Sequence, residues 1–366
     1  MNANNSQGKG VGIKIISTWL YLEAPKEGGI YAQVPGLSHA NRFFDVYRRC
    51  LLVFFVSARN ANPDAELFLF SNRDITLSES KVNTALMETL KSLNVKCIVL
   101  EYSFRPPEEQ KEWRNQFFVL DVIHYFASFV SDDDLCLVLD SDIVWSGSNS
   151  TKIFWDELSN QESLTMTPIK DTNEKINGTT INELKTISAT LFGCIESKVD
   201  YAGGEFIGLK GNILKKIATV IEVNWCSYLK YLERGNIIHL EEAHFLSIIY
   251  GQLDIKFGSG NPYVRRIWTN RFQYSNRENN DFALVCWHIP AEKRFGIHRL
   301  SKLIMNQPTF YWPTYGSAEW KKIAKSLGVL SFSTKKDILD VFKSIKDKMF
   351  LIVEKMRRIS SKSNLE

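Results

Sequence analysis

Two carboxylates, Asp140 and Asp142, directly follow a short apolar run and are the first residues here that could do chemistry. The run itself, 135–139, is uninterrupted, which predicts a strand buried on both faces. Carboxylates two residues apart at the end of such a strand can reach one cation, and their oxygens suit Mg²⁺ or Mn²⁺. In an open α/β sheet, ligands bind beyond the carboxyl ends of the strands, where this pair would lie. The pattern therefore predicts a divalent-metal site, with a solvated turn as the alternative for so short a motif.

Three glutamates further along the chain are candidate catalytic carboxylates. Glu205 follows the glycine pair Gly203 and Gly204 inside an apolar strand. Two glycines weaken a strand, so they indicate either a bulge or the close approach of a ligand, or an irregularity without a ligand. Glu241 and Glu242 open a predicted helix, where carboxylates are commonly only partners of the helix dipole.

His288 stands at the end of another apolar segment, 282–287, and is followed by a basic loop that contains Lys293 and Arg294. A histidine in this position is either structural or a ligand of a metal or phosphate. A cation held by Asp140, Asp142 and His288 could bridge the phosphates of a nucleotide diphosphate and neutralise its charge as it departs. Lys293 or Arg294 could add charged hydrogen bonds to the same leaving group.

These residues need a sheet to position them, and the first 145 residues alternate between strand and helix patterns. This alternation predicts a parallel, doubly wound α/β sheet. We expect strands at 11–18, 66–70, 96–101 and 135–139, with helices at 41–59, 83–93 and 113–130. Beyond residue 145, we expect loops at 146–163 and 170–182, strands at 165–168, 201–211 and 282–287, and helices at 212–233 and 241–250.

Three segments resemble nucleotide-sugar glycosyltransferases of the GT-A fold. Residues 137–142, Leu-Val-Leu-Asp-Ser-Asp, are similar to the Asp-x-Asp element of these enzymes. Residues 201–208, Tyr-Ala-Gly-Gly-Glu-Phe-Ile-Gly, resemble the Gly-Gly-Phe-Phe-Gly strand of the histo-blood-group A/B and α-1,3-galactosyltransferase family. Residues 241–246 resemble that family's Asp-Glu-Ser-His-Leu-Asn element, which implies that Glu242 faces the anomeric carbon with Glu241 as its neighbour.

The segment that begins at His288 resembles a late element of the glycogenin and lipopolysaccharide galactosyltransferase family. That resemblance implies that His288 is the third ligand of Mn²⁺ or Mg²⁺. The GT-A likeness also implies donor contacts from strand ends, from the metal motif and from the start of the helix before it. The residues assigned to these contacts are Thr18, Trp19, Asn72, Arg114, Ser141, Gly203, Gly204, Lys293 and Arg294.

The predicted fold is therefore a GT-A fold, a Rossmann-like, doubly wound mixed sheet of the α/β class. We expect a glycosyltransferase domain at 11–300, divided into a nucleotide-binding half, 11–145, and an acceptor half, 146–300. A helical, basic extension follows at 301–366. The predicted activity is the transfer of a hexose from a nucleotide-diphosphate sugar, UDP-linked, to a glycan or lipid-linked glycan acceptor in surface polysaccharide synthesis.

The basic character of the chain is concentrated near its end. The formal net charge is +4, and residues 335–362 alone contain nine Lys and Arg against four Asp and Glu. Apolar residues at 338, 342, 345, 349, 352 and 356 predict an amphipathic helix over 335–358. Such a helix could cover the domain, pair with a partner helix or lie on an anionic membrane surface.

Location and redox state follow from the absence of targeting patterns and from the cysteines. The N-terminal residues lack an apolar signal core, and no stretch of about 18 apolar residues occurs, as a membrane span would need. The six cysteines are widely spaced without a paired motif, which predicts reduced core thiols. We therefore expect a cytoplasmic protein, with contact to the inner membrane face, and no nucleic-acid partner.

Two other functions fit parts of the pattern. Residues 139–144 also fit the Asp-x-Asp nucleophile motif of haloacid-dehalogenase-like phosphatases, although that motif normally lies near the start of its domain and is followed by a further acidic motif. A catalytically inactive sugar-binding protein on the same fold is the second alternative. The combined presence of Asp140, Asp142, Glu242 and His288 favours an active enzyme.

Overall fold

The computed structural model describes residues 12–27, 34, 40–77, 79–108, 113–168, 171, 173–193, 198–234, 240–271, 273–307 and 310–363. Eleven strands and ten α-helices lie in these ranges. The strands are β1 Lys14–Leu20, β2 Glu66–Ser71, β3 Val95–Val99, β4 Leu135–Leu139, β5 Ile143–Trp145, β6 Ser163–Thr165, β7 Phe206–Lys210, β8 Val264–Arg266, β9 Thr269–Asn270, β10 Tyr274–Ser275 and β11 Cys286–His288. The helices are α1 Asn41–Ala61, α2 Lys81–Ser92, α3 Phe118–Ala127, α4 Thr151–Gln161, α5 Ile181–Phe192, α6 Gly211–Glu233, α7 Glu242–Gln252, α8 Gly296–Asn306, α9 Ala318–Ser326 and α10 Thr334–Ser363.

A six-stranded mixed sheet forms the centre of the molecule, in the order β3-β2-β1-β4-β7-β6. The first four strands are parallel, whereas β7 runs antiparallel to both β4 and β6. The predicted α/β class with a doubly wound mixed sheet is therefore confirmed. Parallel pairing of β1, β2 and β4 places their carboxyl ends along one edge. Asn72 and Asp140 follow β2 and β4 at this edge, and Thr18 and Trp19 lie in the last three residues of β1.

Strand β4 is buried along its whole length, as its continuous apolar sequence predicts. Its side chains alternate between two layers. Cys136 and Val138 pack with residues of α3, α6 and α7, while Leu137 and Leu139 pack with α1, α2 and α4. Helices thus cover both faces of the strand, which holds its carboxyl end in a fixed position.

A second, three-stranded sheet in the order β5-β11-β8 adjoins this edge. Behind it, Trp287 packs against Trp320 with ring centroids 5.6 Å apart, in a cluster that also includes residues of α1, α8 and α9. The predicted strand at 282–287 is shorter than expected, because residues 281–283 form a 3-10 turn and only Cys286–His288 are extended.

The prediction of a loop over 146–163 is wrong, because α4 occupies Thr151–Gln161. Phe154, Trp155 and Leu158 are buried and share one side of this helix, while its other residues are mostly polar and exposed. Three apolar anchors are enough to bury one face of a short helix, although they give only a weak periodic pattern in the sequence.

The prediction that the cysteines are reduced thiols in the core holds for only some of the described ones. Cys50, Cys136 and Cys286 are buried and free, whereas Cys97 and Cys226 are free but exposed. The sixth cysteine, Cys194, lies outside the described residues. Within the described ranges, no helix has both the length and the apolar character needed to cross a bilayer.

Candidate metal centre and adjoining pocket

Strand pairing brings Asp140, Asp142 and His288 together. Asp140 follows β4, and Asp142 lies in the tight turn that leads into β5. Because β11 pairs with β5 and sets His288 opposite Ile143, the imidazole reaches the turn. Nε2 of His288 lies 3.3 Å from Oδ2 of Asp142 and 3.8 Å from Oδ2 of Asp140. The three residues that the sequence proposed as metal ligands therefore form one cluster.

The three side chains fit a divalent cation. One ligand atom from each lies within 4.8 Å of the others, so they can converge on a single ion. Both carboxylate oxygens of Asp142 are buried without an aligned hydrogen-bond donor, which leaves their lone pairs available to a cation. Two carboxylates and an imidazole form a donor set suited to Mn²⁺ or Mg²⁺, with Mn²⁺ the better match for the nitrogen ligand.

Lys293 adds a positive charge to the same cluster. Its Nζ lies 3.1 Å from Oδ2 of Asp142 and 5.6 Å from the centre of the Tyr47 ring. Burial would lower the pKa of Lys293, but Asp142 and the neighbouring acidic groups raise it well above its usual range. Lys293 is therefore a fixed cation beside the candidate metal ligands.

Glu205 lies behind His288, away from the two aspartates. The backbone N–H of Asp140 donates to the carbonyl of Glu205 (2.9 Å), at the end of the β4–β7 pairing. Oε1 of Glu205 accepts a hydrogen bond from Nε of Arg266 (2.6 Å) and lies 3.2 Å from Nδ1 of His288, an ion-pair contact without the alignment of a regular hydrogen bond. Burial would raise the pKa of Glu205, but Arg266 and His288 hold it well below its usual range. Glu205 is thus a buried anion directed at the histidine.

The glycine pair gives these carboxylates room. A Cβ atom on Gly203 would lie 2.2 Å from Oε2 of Glu205, and one on Gly204 would lie 2.5 Å from Oε1 of Glu242. No real side-chain carbon approaches an oxygen so closely. The prediction that these glycines lie inside a strand is wrong, because β7 begins at Phe206. Instead, each glycine leaves space for one buried glutamate in the segment before that strand.

Glu241 and Glu242 occupy different surroundings although they are adjacent. Glu241 is the N-cap of α7, and its Oε1 accepts a hydrogen bond from the Tyr201 hydroxyl (2.9 Å). Glu242 faces Gln116, whose amide nitrogen, when turned toward it, donates to both carboxylate oxygens (2.9 and 3.1 Å). Burial, Glu241 and Asp140 raise the pKa of Glu242 well above its usual range. The surroundings of Glu242 therefore favour its neutral, protonated form over the carboxylate.

The pKa values of the three candidate metal ligands are shifted in different directions by their surroundings. Burial and the charge of Asp142 raise the pKa of Asp140 to about 6. Burial acts in the same direction on Asp142, but Lys293 and His288 more than offset it and hold the pKa of Asp142 well below its usual range. Burial alone would lower the pKa of His288, whereas Asp142 and Glu205 raise it to about 9. Asp142 is thus the permanently charged member of the pair.

A pocket of about 80 Å³ opens onto this cluster. Its walls include Asp140, Ser141, Asp142, Lys293, Trp19, Tyr21, Tyr47 and Gln116. A more open cleft of about 770 Å³ lies on the other side of Tyr21 and is lined by Asn72, Arg73, Arg105 and Arg114 among others. Tyr21 therefore stands between a small acidic pocket and a larger cleft.

The remaining predicted donor residues are divided between these spaces. Trp19 and Ser141 line the small pocket, and Asn72 and Arg114 line the cleft. Thr18 lines neither, and its buried hydroxyl has no hydrogen-bond partner among the described residues. Arg294 is directed at Asp347 of α10, with Nη2 2.6 Å from Oδ2.

Three residues that sequence reasoning missed complete the site. Gln116 contacts Glu242, Tyr47 lies under Lys293, and Arg266 binds Glu205. Gln116 and Tyr47 lie in segments whose apolar periodicity predicted only helices. Arg266 follows a glycine-rich stretch without a motif. Only the pairing of β11 with β8 and β5 reveals that Arg266 lies beside His288.

The fold and the site together define an α/β protein with a candidate divalent-metal centre at the carboxyl edge of its central sheet. No protein-family model matches this chain, and no curated protein matches it. Among solved structures, it is similar to the galactosyltransferase LgtC in complex with donor and acceptor sugar analogues, with a TM-score of 0.46 and 13% identity over 84% of this chain and 99% of that chain. A structure of an active-site mutant of LgtC matches with a TM-score of 0.45, 13% identity and the same coverage of both chains.

Proposed function

We propose that this protein is a metal-dependent glycosyltransferase that moves a hexose from a UDP-linked sugar to a glycan or lipid-linked glycan. The observation that carries the proposal is the convergence of Asp140, Asp142 and His288 on one point beside Lys293, at the mouth of a pocket on the carboxyl edge of the sheet. Two carboxylates, an imidazole and a fixed cation form a site suited to a cation together with a phosphorylated ligand.

The residues of the candidate site have different roles in this proposal. Asp140, Asp142 and His288 would hold Mn²⁺ or Mg²⁺, which when bound would neutralise charge on the departing nucleotide diphosphate. Lys293 supplies a second positive charge that does not depend on the metal, and its contact with Asp142 fixes its position. The aromatic rings of Trp19 and Tyr21 border the same pocket and offer surfaces for the nucleoside or the sugar.

Glu242 is the carboxyl that we assign to the sugar. It adjoins Gln116 at the pocket wall, and its surroundings raise its pKa well above the usual range, as is common for carboxyls that exchange protons in catalysis. Glu241 supports it as the N-cap of the same helix, and Glu205 is held by Arg266 and faces His288. The proposal therefore gives the chemical role to Glu242 and positioning roles to Glu241 and Glu205.

The donor-binding residues remain part of the proposal. Ser141 and Trp19 would contact the donor in the small pocket, and Asn72 and Arg114 would contact it from the larger cleft. Thr18, Gly203 and Gly204 would act through the backbone positions that they hold. We place the reaction in surface polysaccharide synthesis on the cytoplasmic side of a membrane, where lipid-linked glycans would be the acceptors.

The test is release of nucleotide from a panel of nucleotide sugars incubated with the full-length protein and Mn²⁺. We expect UDP release from a UDP-hexose, which a chelator abolishes and added Mn²⁺ restores. Asp142→Asn should abolish the release because it removes the permanently charged ligand. Turnover of phosphomonoesters would instead support a phosphatase. Binding of a nucleotide sugar without turnover, with any acceptor supplied, would support a sugar-binding protein.

A further inference from the structure

The C-terminal helix α10 turns its apolar side away from the domain. Ile338, Phe342, Ile345 and Met349 are exposed by 50%, 67%, 50% and 63%, and Val341 beside them by 47%. Spacings of four, three and four residues place the first four on one side of the helix. An amphipathic helix that merely covered a domain would bury this side instead.

The opposite side of α10 binds the domain through buried ion pairs. Asp347 accepts from Arg294 (2.6 Å) and Arg42 (2.9 Å), while Nζ of Lys336 lies 2.7 Å from Glu292. Asp340 lies on the same side and binds Arg299. The helix is therefore fixed to the domain in an orientation that leaves its apolar side outward.

The charged side chains that α10 exposes between 334 and 349 are all lysines. Over residues 334–349, the three acidic side chains, Asp337, Asp340 and Asp347, are all buried or half-buried against the domain. Lys335, Lys346 and Lys348 are exposed. At 100° per residue, these three lysines flank the apolar stripe on both of its edges. The outward surface is thus apolar in the middle and positively charged along its edges.

We propose that this surface docks on an anionic lipid bilayer, with α10 lying in the plane of the interface. The exposed apolar side chains would enter the boundary between headgroups and acyl chains, and the flanking lysines would meet the anionic headgroups. The inference goes beyond the proposed transferase activity and does not depend on it. It identifies the bilayer, rather than the acceptor alone, as a partner of this protein.

The charges on the outward surface of α10 favour a bilayer over a second copy of the chain as its partner. In a symmetric pair of α10 helices, the exposed lysines of both copies would flank one seam, and no exposed acidic side chain between 334 and 349 would face them. Like charges across a seam destabilise helix pairing, whereas an anionic surface attracts all three lysines.

Docking would also leave the candidate site intact. Glu292 and Arg294, the two neighbours of Lys293, both pair with the domain-facing side of α10. A bilayer on the outward side needs none of these contacts to break. The residues that position Lys293 would therefore remain in place in the bound protein.

The test is flotation of the full-length protein with two kinds of vesicle, pure phosphatidylcholine and an equal mixture of phosphatidylcholine and phosphatidylglycerol. We expect strong binding to the mixed vesicles that weakens with added salt. Replacing Lys335, Lys346 and Lys348 with Gln should weaken binding on the order of 100-fold, at about fivefold for each lysine. Phe342→Asp with Ile345→Asp should weaken it by at least about tenfold, because both side chains would lie in the apolar layer.

Matched control variants carry the same kinds of substitution at exposed positions on other helices. Lys152, Lys185 and Lys216 are exposed lysines on α4, α5 and α6, and their replacement with Gln should leave most of the binding in place. Ile153→Asp and Val223→Asp change apolar residues that are also more than half exposed, and should leave binding unchanged. Circular dichroism would confirm that each variant keeps its helix content.

Three outcomes would overturn the inference. The first is equal binding by the wild type and the α10 variants. The second is equal binding to both kinds of vesicle with no effect of salt or of the lysine changes. The third is a dimer, detected by light scattering, that binds neither vesicle and that Phe342→Asp with Ile345→Asp converts to a monomer, which would assign this surface to a second copy of the chain.

Discussion

The carboxylate of Glu205 lies 3.2 Å from Nδ1 of His288, while the other imidazole nitrogen, Nε2, faces Asp142 at 3.3 Å. An acidic partner on Nδ1 orients the ring and keeps the proton on that nitrogen, so Nε2 is the nitrogen that would bind a metal once its own proton is displaced. Arg266 in turn holds Glu205 by a hydrogen bond of 2.6 Å. This geometry favours a positioning role for Glu205 toward His288, the candidate metal ligand, over a role on the sugar.

We therefore predict that Glu205→Gln weakens Mn²⁺ binding by about 10- to 100-fold. Titration calorimetry of the purified protein measures this directly, without an activity assay. Glu241→Gln is the matched control, because it changes another buried glutamate that does not contact His288, and it should leave Mn²⁺ affinity close to that of the wild type. Unchanged Mn²⁺ affinity combined with loss of sugar transfer in Glu205→Gln would instead assign Glu205 to the reaction.

Lys293→Gln should move metal and nucleotide binding in opposite directions. Removing the charge 3.1 Å from Asp142 leaves the aspartate more attractive to a cation, so we expect Mn²⁺ affinity to rise by about tenfold. UDP should bind about 10- to 100-fold more weakly, because one charged hydrogen bond to the diphosphate is lost.

Arg294→Gln is the control for Lys293→Gln, since Arg294 is the next residue but pairs with Asp347. It should change neither affinity by more than about twofold. A parallel decrease of Mn²⁺ and UDP affinity in Lys293→Gln would mean that Lys293 acts mainly by holding the loop together.

The adjacent variants Gly203→Ala and Gly204→Ala should have different effects. A methyl group at position 203 would collide with Glu205, so we expect weaker Mn²⁺ binding. A methyl group at position 204 would collide with Glu242, so we expect loss of sugar transfer with Mn²⁺ binding retained. Calorimetry and a UDP-release assay on both proteins make the comparison. Identical effects of the two changes would indicate a general disturbance of the segment that precedes β7.

Glu242→Gln should reduce sugar transfer by at least about 100-fold while UDP still binds, because the amide keeps the shape of the side chain but cannot exchange a proton. UDP release in the presence of acceptor and UDP binding by calorimetry separate the two effects. Activity like that of the wild type would move the role to Glu241 or Glu205.

His244 should make the protein less stable in mild acid. Its ring is buried, Nδ1 accepts from the backbone N–H of Glu241 (3.3 Å), and burial lowers its pKa from 6.5 to about 4. Between these two values the unfolded chain takes up a proton that the folded protein does not. Stability is therefore fully present above pH 6.5 and falls as the pH decreases toward 4, by up to roughly 3 kcal/mol from this residue.

Urea unfolding at pH 7.5 and pH 5 tests the role of His244. We expect His244→Gln to be less stable than the wild type at pH 7.5 but to lose less stability on acidification. If the free energy of unfolding of His244→Gln fell between pH 7.5 and pH 5 by as much as that of the wild type, the prediction would be contradicted.

Local patterns predicted the strands and helices that have strong periodicity. Residues 135–139 form β4 with the predicted bounds, and the predicted helix at 212–233 differs from α6 by one residue. Weaker patterns failed, since α4 was missed and β11 is half as long as expected. In both cases a few large side chains pack against elements that are distant in the sequence, and local patterns do not reveal such packing partners.

The candidate site also contains residues that the sequence predicted and contacts that it did not. Asp140 and Asp142 could be recognised from sequence because a buried strand that ends in two carboxylates is a local pattern with a chemical meaning. The structure decided that His288 reaches them, that Glu205 and Arg266 support His288, and that Gln116 contacts Glu242. These relationships join residues more than sixty positions apart in the sequence, which no local pattern connects.

The sequence by itself determined the buried strand, the carboxylates at its end and the amphipathic character of the last helix, because each depends on neighbouring residues. Only the tertiary structure decided which groups face one another across strands and which side of the last helix faces outward. Hydrophobic periodicity predicts that a helix has two sides, but buried ion pairs such as Arg294–Asp347 turned its charged side inward. Burial of charge becomes favourable only when a partner of opposite sign is in place, and the fold alone supplies that partner.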